Sequence, residues 1–193
     1  MSYDVKMYRA ILEERLNSKR FNHSLNVAES AKELSERWGY ENTEKAYVTG
    51  LLHDICKNDS EQSQLEMVRK SSRAVNSIDL ITPPLYHAIA GAWYVENKLG
   101  IRDDEILDAI RYHTEGRANM TLLDKIIFTA DIISADRDFS DVSHYRELAK
   151  NDLEQTVLEY LAFSIEDVLG KKICLSTHSI NAYNSQIMHT KKG

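Results

Sequence analysis

Apolar residues recur along this chain at spacings of three and four, the period of a helix with one buried face. Residues 3–16 place Val5, Tyr8, Ile11, Leu12 and Leu16 on one stripe. Residues 20–38 repeat the pattern with Val27, Ala31, Leu34 and Trp38, and Gly39 supplies a stop. Asn42-Thr43 opens a third helix, which the pattern carries to about Lys57, and a more polar helix covers 60–72. Thr82-Pro83-Pro84 starts a helix to about Leu99, because proline is tolerated in a first turn. Asp103-Asp104-Glu105 puts acids at the start of the next, which runs to about His113. Residues 120–135 form another apolar helix, and 144–170 a long or broken one closed by Gly170. After it comes a short basic tail whose end, Lys191-Lys192-Gly193, reads as frayed. Sustained alternation of period two is absent. The pattern therefore predicts eight or so helices in one all-α bundle, with loops 57–60, 73–81, 114–120 and 136–143 as the walls of any site.

Composition narrows the class without changing that picture. The 193 residues suit a single domain, and 7 Gly and 2 Pro are too few for a turn-rich β design. The net charge of -6 argues against a broad nucleic-acid-binding face. No apolar run approaches the ~20 residues of a membrane span, and the start carries acids where a secretory signal would be apolar. Cys56 and Cys174 lie far apart and form no CxxC pair, the expectation for a reduced, cytoplasmic chain with two structural thiols.

Polar residues then stand where leucines belong. His23 lies one turn before Val27 on the apolar face. His53-Asp54 interrupts the apolar run GLLHDI. His87 shares a face with Gly91 and Tyr94, His113 follows Ile106 and Ile110, and Asp131 lies one turn past Ile127. A lone His on an apolar face is usually a satisfied core residue, and a His-Asp pair alone is a weak signal. An unpaired buried carboxylate is costly, however, and the ordered series needs one shared cause. A divalent metal supplies it: imidazole and carboxylate suit iron, manganese or zinc, and a cation offsets buried carboxylates. Two His and two Asp leave coordination positions open for chemistry, and a metal-bound water is a nucleophile near neutral pH. Arg20 and Lys57, each one turn from a candidate ligand, are placed to neutralise phosphate oxygens.

The wording around these residues carries a resemblance. Arg20-Phe-Asn-His23-Ser24, Gly50-Leu-Leu-His53-Asp54-Ile-Cys-Lys57, His87-Ala-Ile-Ala-Gly91-Ala92, Ala109-Ile-Arg-Tyr-His113-Thr114-Glu-Gly116, Met120 to Asp131, and Arg137 are similar to the HD-domain metal-dependent phosphohydrolases. Within them the chain resembles the bacterial YqeK branch, the symmetrical diadenosine tetraphosphate hydrolases, from about residue 15 to 184. The resemblance implies a single HD-type domain over 1–193, with its core at about 15–170 and a segment, 171–193, closing over a nucleotide. It implies iron, with manganese and zinc as the other fitting metals, held by His23, His53, Asp54 and Asp131. It places nucleotide contacts on Arg20, Lys57, His87, His113, Thr114, Arg137 and Tyr183, with His23, Asp54 and Asp131 also facing the substrate. Asp54, His87 and His113 become the catalytic candidates. The chain reads Leu175-Ser176-Thr177 where the branch usually has Ile-His-Pro, and Ile-Ile-Ser after Asp131 where it often has Tyr-Ile-Glu; Tyr183-Asn184 are retained.

The implied reaction is symmetrical cleavage of diadenosine tetraphosphate to two ADP by a metal-bound hydroxide. Another nucleotide or alarmone phosphohydrolase, or a nucleotide sensor without turnover, remains open at this point. His87 and His113 either complete a second metal site or bind phosphate and protonate the leaving group; the resemblance to a one-metal branch favours the latter. A homodimer is among the assemblies left open, and neither nucleic acid nor membrane is expected as a partner.

Overall fold

The structure, a computed structural model, describes residues 3–73 and 75–190; the Lys191-Lys192-Gly193 end lies outside them. Among the described residues there are ten α-helices and no strands: α1 (Val5–Arg15), α2 (Ser18–Arg37), α3 (Thr43–Leu52), α4 (Glu61–Lys70), α5 (Pro83–Asn97), α6 (Asp104–Tyr112), α7 (Leu122–Ile133), α8 (Val142–Asn151), α9 (Leu153–Gly170) and α10 (Thr177–Thr190). The all-α class holds. No helix is long and apolar enough to cross a membrane among the described residues.

Local chemistry explains most boundaries. Asn17, Asn42, Ser60, Asp103 and Asp152 each accept a hydrogen bond from a backbone N–H in the first turn of the helix that follows. Thr121 and Asp124 make a reciprocal capping box at the start of α7. Asp152, capping α9, breaks the 144–170 stretch into two helices.

One boundary differs from the periodic pattern, while the end of α6 falls where the pattern put it, and the same kind of bond stands at both. The third helix ends at Leu52, not near Lys57. The His53 ring nitrogen Nδ1 donates to the Gly50 carbonyl at 2.6 Å and takes the acceptor that the next helical N–H would use. Tight turns then follow, with Ile55 N–H to Leu52, Lys57 N–H to Asp54, and Asp59 N–H to Cys56. Likewise His113 Nδ1 donates to Ile110 O at 2.7 Å, just past the last residue of α6. His53, Asp54 and His113 therefore stand on helix ends, not on helix faces.

The tail after Gly170 is a second difference, since α10 fills most of it. Ala182 is buried and Tyr183 half-buried in a cluster with Met120, Phe128, Tyr145 and Leu161. The largest apolar cluster joins α1, α2, α3, α5 and α6 through Leu12, Ala28, Leu51, Ala92 and Ile110. A second joins α2, α6, α7 and α9 through Val27, Ala109, Ile126 and Leu153. Cys56 is buried, as expected of a structural thiol, but Cys174 is exposed.

Helices α2 and α3 cross closely at Gly50. A Cβ there would lie 3.0 Å from the Val27 carbonyl and 3.1 Å from both Ala28 Cα and Ala31 Cβ. This contact sets the spacing between the helices that carry His23 and His53. Gly50→Ala is expected to lower stability by about 1–3 kcal/mol through overpacking against backbone, read as a shift in urea midpoint at unchanged slope.

Candidate metal centre

Three elements bring His23, His53, Asp54 and Asp131 together. His23 lies on α2, His53 and Asp54 on the turn after α3, and Asp131 on α7. Nε2 of His23 is 2.9 Å from Asp131 Oδ1, and Nε2 of His53 is 3.6 Å from Asp54 Oδ2 and 3.9 Å from Asp131 Oδ1. Ligand-capable atoms of His23, His53 and Asp131 all lie within 4.8 Å of one another, as do those of His53, Asp54 and His113. His53 Nε2 and Asp54 Oδ1 are buried and make no hydrogen bond. Two imidazole nitrogens and two carboxylates gathered around His53 Nε2, in two triads that share it, are a donor set that fits a divalent cation of borderline hardness. The centre can hold such an ion; which metal it takes is a separate matter.

Each imidazole is held at its other nitrogen. His53 and His113 give Nδ1–H to the carbonyls of Gly50 and Ile110, which assigns Nε2 as the unprotonated, inward atom. His23 Nδ1 instead lies 2.8 Å from Asp136 Oδ2, and Asn26 Nδ2 donates to the other Asp136 oxygen at 3.1 Å. A carboxylate behind a ligating imidazole fixes its orientation and raises its basicity. Sequence reasoning missed Asp136, because nothing periodic marks a loop residue.

Electrostatics follow burial. Desolvation, against the pull of Asp54 and Asp131, pushes the His53 imidazole down to about 4, so it is neutral and ready to ligate at neutral pH. Burial alone would raise the Asp131 carboxyl, but the His23 hydrogen bond and the charges of His53 and Arg137 hold it well below the usual carboxylate range. Asp54 is likewise held low, burial being outweighed by His53, His113, His87 and Lys57. Burial depresses His87 far below the ordinary imidazole value. Burial also raises the Cys56 thiol, so it is no nucleophile.

Beside the centre lies a cleft of about 220 Å³ lined by Arg20, Asp54, Lys57, His87, His113, Thr114, Phe128, Asp131, Ile132, Arg137, Tyr160 and Ser164. Of the expected loop walls, 57–60 contributes Lys57, 114–120 contributes Thr114 and 136–143 contributes Arg137, while 73–81 contributes nothing. Arg20 Nη1 reaches Asp54 Oδ2 at 3.1 Å, and Arg137 grips Asp131 through both its carboxylate and its carbonyl. Lys57 Nζ is 3.0 Å from His87 Nε2, which is 3.3 Å from His113 Nε2 and 3.3 Å from Thr114 Oγ1. Tyr160 and Ser164 of α9 also face the cleft, on positions a buried stripe would fill equally well. Tyr183 does not line it: it packs half-buried on the Phe128 cluster, and residues 171–190 supply no lining group. A larger groove of about 630 Å³ between α2 and α8 holds none of the candidate ligands.

A family model described as HD domain matches residues 20–136, the span that holds every candidate metal ligand. The chain belongs to the HD domain family. It is 33% identical over 175 residues to "Bis(5'-nucleosyl)-tetraphosphatase, symmetrical" of Bacillus subtilis, covering 91% of this chain and 93% of that protein. The protein of the same name from Halalkalibacterium halodurans is also 33% identical, over 94% of this chain and 96% of its own. Among solved structures, a "predicted HD superfamily hydrolase involved in NAD metabolism" from Clostridium acetobutylicum matches with a TM-score of 0.92 at 33% identity, covering 98% of this chain and 100% of that one. The family reading taken from the motifs stands, and with it the expectation of an HD-type fold.

Asp131→Ala is expected to release the bound metal while helical circular dichroism is retained; full metal occupancy by elemental analysis would remove Asp131 from the ligand set. Asp136→Ala is expected to keep the ligands but weaken metal affinity roughly 10–100-fold, measured by chelator competition.

Proposed function

We propose that this protein is a metal-dependent phosphohydrolase that cleaves diadenosine tetraphosphate symmetrically, with water, into two ADP. The observation that carries the reading is the juxtaposition of the His23, His53, Asp54 and Asp131 centre with Arg20, Lys57 and Arg137 in one cleft. The relatives named as symmetrical tetraphosphatases, aligned over nearly the full chain, support this substrate over other nucleotides.

The charge inventory suits a polyphosphate. Arg20 and Lys57 pair with Asp54 and Arg137 with Asp131, so the two carboxylates that line the cleft face three cations and a divalent cation makes it more positive still. Iron is the metal assigned to His23, His53, Asp54 and Asp131, with manganese and zinc fitting the same donors. When bound, the metal supplies a Lewis acid for phosphoryl oxygens and an acidified water.

This chain's own residues do the rest. Arg20 and Arg137 each have a fork placed to take two phosphate oxygens, and Lys57 adds a point charge. They stabilise charge that spreads over the equatorial oxygens as the central P–O–P bridge opens. His87 and His113, joined Nε2 to Nε2 and flanked by Lys57 and Thr114, hold the phosphate oxygens, and the Lys57 ammonium, 3.0 Å from His87 Nε2, is the source of the proton that reaches the oxygen leaving with the second ADP. Asp54 serves both sides, since Oδ2 faces His53 and Oδ1 faces His87 and His113 at 3.4 and 3.6 Å. One ion, not two, fits this arrangement: the Lys57 ammonium already stands beside His87, where a second cation would be repelled.

Within the segment expected to close over the nucleotide, the described part, 171–190, lines none of the cleft itself and would cover a bound nucleotide from outside it. In support, α10 packs on Phe128, a lining residue of the cleft.

Chromatography of the reaction with diadenosine tetraphosphate should show ADP alone; ATP with AMP, or free phosphate, would refute the symmetrical reading. Arg20→Ala should raise KM about tenfold or more with metal retained, and unchanged kinetics would return Arg20 to a plain surface cation. His87→Ala and His113→Ala should each keep one metal per chain and lose about 10²–10⁴-fold in kcat. A drop of one metal in either variant would make these residues ligands of a second ion.

A further inference from the structure

A second group of potential ligands lies apart from the cleft. Asp79, on the short 3₁₀ turn Asp79–Ile81, and Glu115, just after α6, are both almost wholly buried. Between them runs Arg111, 1% exposed, whose Nη2 donates to Asp79 Oδ2 at 2.9 Å and whose Nη1 donates to Glu115 Oε1 at 2.6 Å. Each carboxylate thus spends one oxygen on the guanidinium. The other oxygens, Asp79 Oδ1 and Glu115 Oε2, are buried and make no hydrogen bond. The third member is His178 of α10, half-buried with its ring edge-to-face on Tyr112 at 5.1 Å. Ligand-capable atoms of Asp79, Glu115 and His178 all lie within 4.8 Å of one another.

The charge count does not close. Two enclosed carboxylates face one guanidinium, which leaves one negative charge in a dry region and two unsatisfied oxygens. Such a group is costly without a cation or a donor. The spacing is within reach of one ion: ligands of a tetrahedral cation at about 2.1 Å lie ~3.4 Å apart, and a turn of the half-buried His178 ring draws donors now within 4.8 Å of one another toward that separation.

We infer that Asp79, Glu115 and His178 form a second divalent-cation site, distinct from the cleft, with Zn²⁺, Mn²⁺ or Fe²⁺ as the chemical class of ligand. Arg111 already links Asp79 to Glu115, and His178 brings the third ligand from α10, which the Asn119–Ser185 hydrogen bonds also hold against the loop after α6. An ion there fastens α10 to the end of α6, two residues beyond His113, and so couples the docking of the C-terminal helix to the catalytic segment. The site needs α10 in place, which makes the cation a clamp on that helix and not a source of activated water.

The test uses the full chain stripped with chelator and titrated with ZnCl₂ alone. Asp131→Ala, which disables the first centre, should still bind one Zn²⁺ per chain, and adding His178→Ala should weaken that binding at least tenfold. In the otherwise wild-type chain, His178→Ala should lower the zinc stoichiometry from two to one, while His144→Ala, a surface control, leaves it at two. Zinc should slow amide exchange across 177–190 in Asp131→Ala and not in the double variant. Equal zinc binding with and without His178, or no zinc bound by Asp131→Ala, would overturn the site and show that water or a side chain satisfies those oxygens. Failure of Asp131→Ala to lose its own ion would count against the first centre instead, and the His178 comparison in the wild-type background would still decide this one.

Discussion

Two aspartates at the centre of the molecule set the terms for everything around them. Asp54 is 2% exposed and Asp131 is half-buried, and both are held ionised. Enclosing a carboxylate costs several kcal/mol unless charge and hydrogen bonds return it, so each neighbouring element has to deliver a partner. Helix α2 delivers His23 and Arg20, the turn after α3 delivers His53 and Lys57, α5 delivers His87, the end of α6 delivers His113, and the loop after α7 delivers Arg137. The helices converge with their chemistry-bearing ends inward and their leucines and isoleucines packed behind. Gly50 permits this by letting α3 approach the backbone of α2.

The imidazoles show how local structure and chemistry can be one interaction. The ring–carbonyl bonds of His53 and His113 end their helices, choose the tautomer and leave Nε2 unprotonated toward the aspartates. Had either helix continued, the ring would lie along a helix face and its carbonyl partner would be used by the backbone. His23, in mid-helix, has no such carbonyl, and a distant carboxylate, Asp136, does the same work from a loop. The three rings also meet edge to face, His23 on His53 at 5.3 Å and His53 on His113 at 4.9 Å, so none can turn without disturbing the next.

Charge separates two tasks within a few ångströms. On one side of Asp54 stands the neutral His53 nitrogen, suited to a metal; on the other, Lys57 and the His87–His113 pair, suited to phosphate and proton transfer. The same carboxylate orients both groups. The buried Arg111 with Asp79 and Glu115 repeats the principle on a smaller scale, where one guanidinium does not balance two acids.

The amino-acid order by itself determined the helical class, most element starts and the His and Asp series, because helix periodicity and capping are local and because a polar residue on an apolar stripe stands out. The motifs around His23, His53-Asp54, His87, His113 and Asp131 were equally legible, since each is a short contiguous run. Tertiary structure alone decided where α3 ends, because a side-chain hydrogen bond to a carbonyl competes with the helix only once the ring is drawn inward. It alone formed α10 from a stretch read as a tail, and placed Tyr183 on the Phe128 cluster outside the cleft, because that helix depends on an apolar surface built from α7 and α9. Asp136 behind His23, and Arg111 with Asp79 and Glu115, lie 113, 32 and 4 residues from their partners. The pair four residues apart keeps the helical period, but the two long separations leave none in the sequence; they follow from which helix ends the packed core brings together.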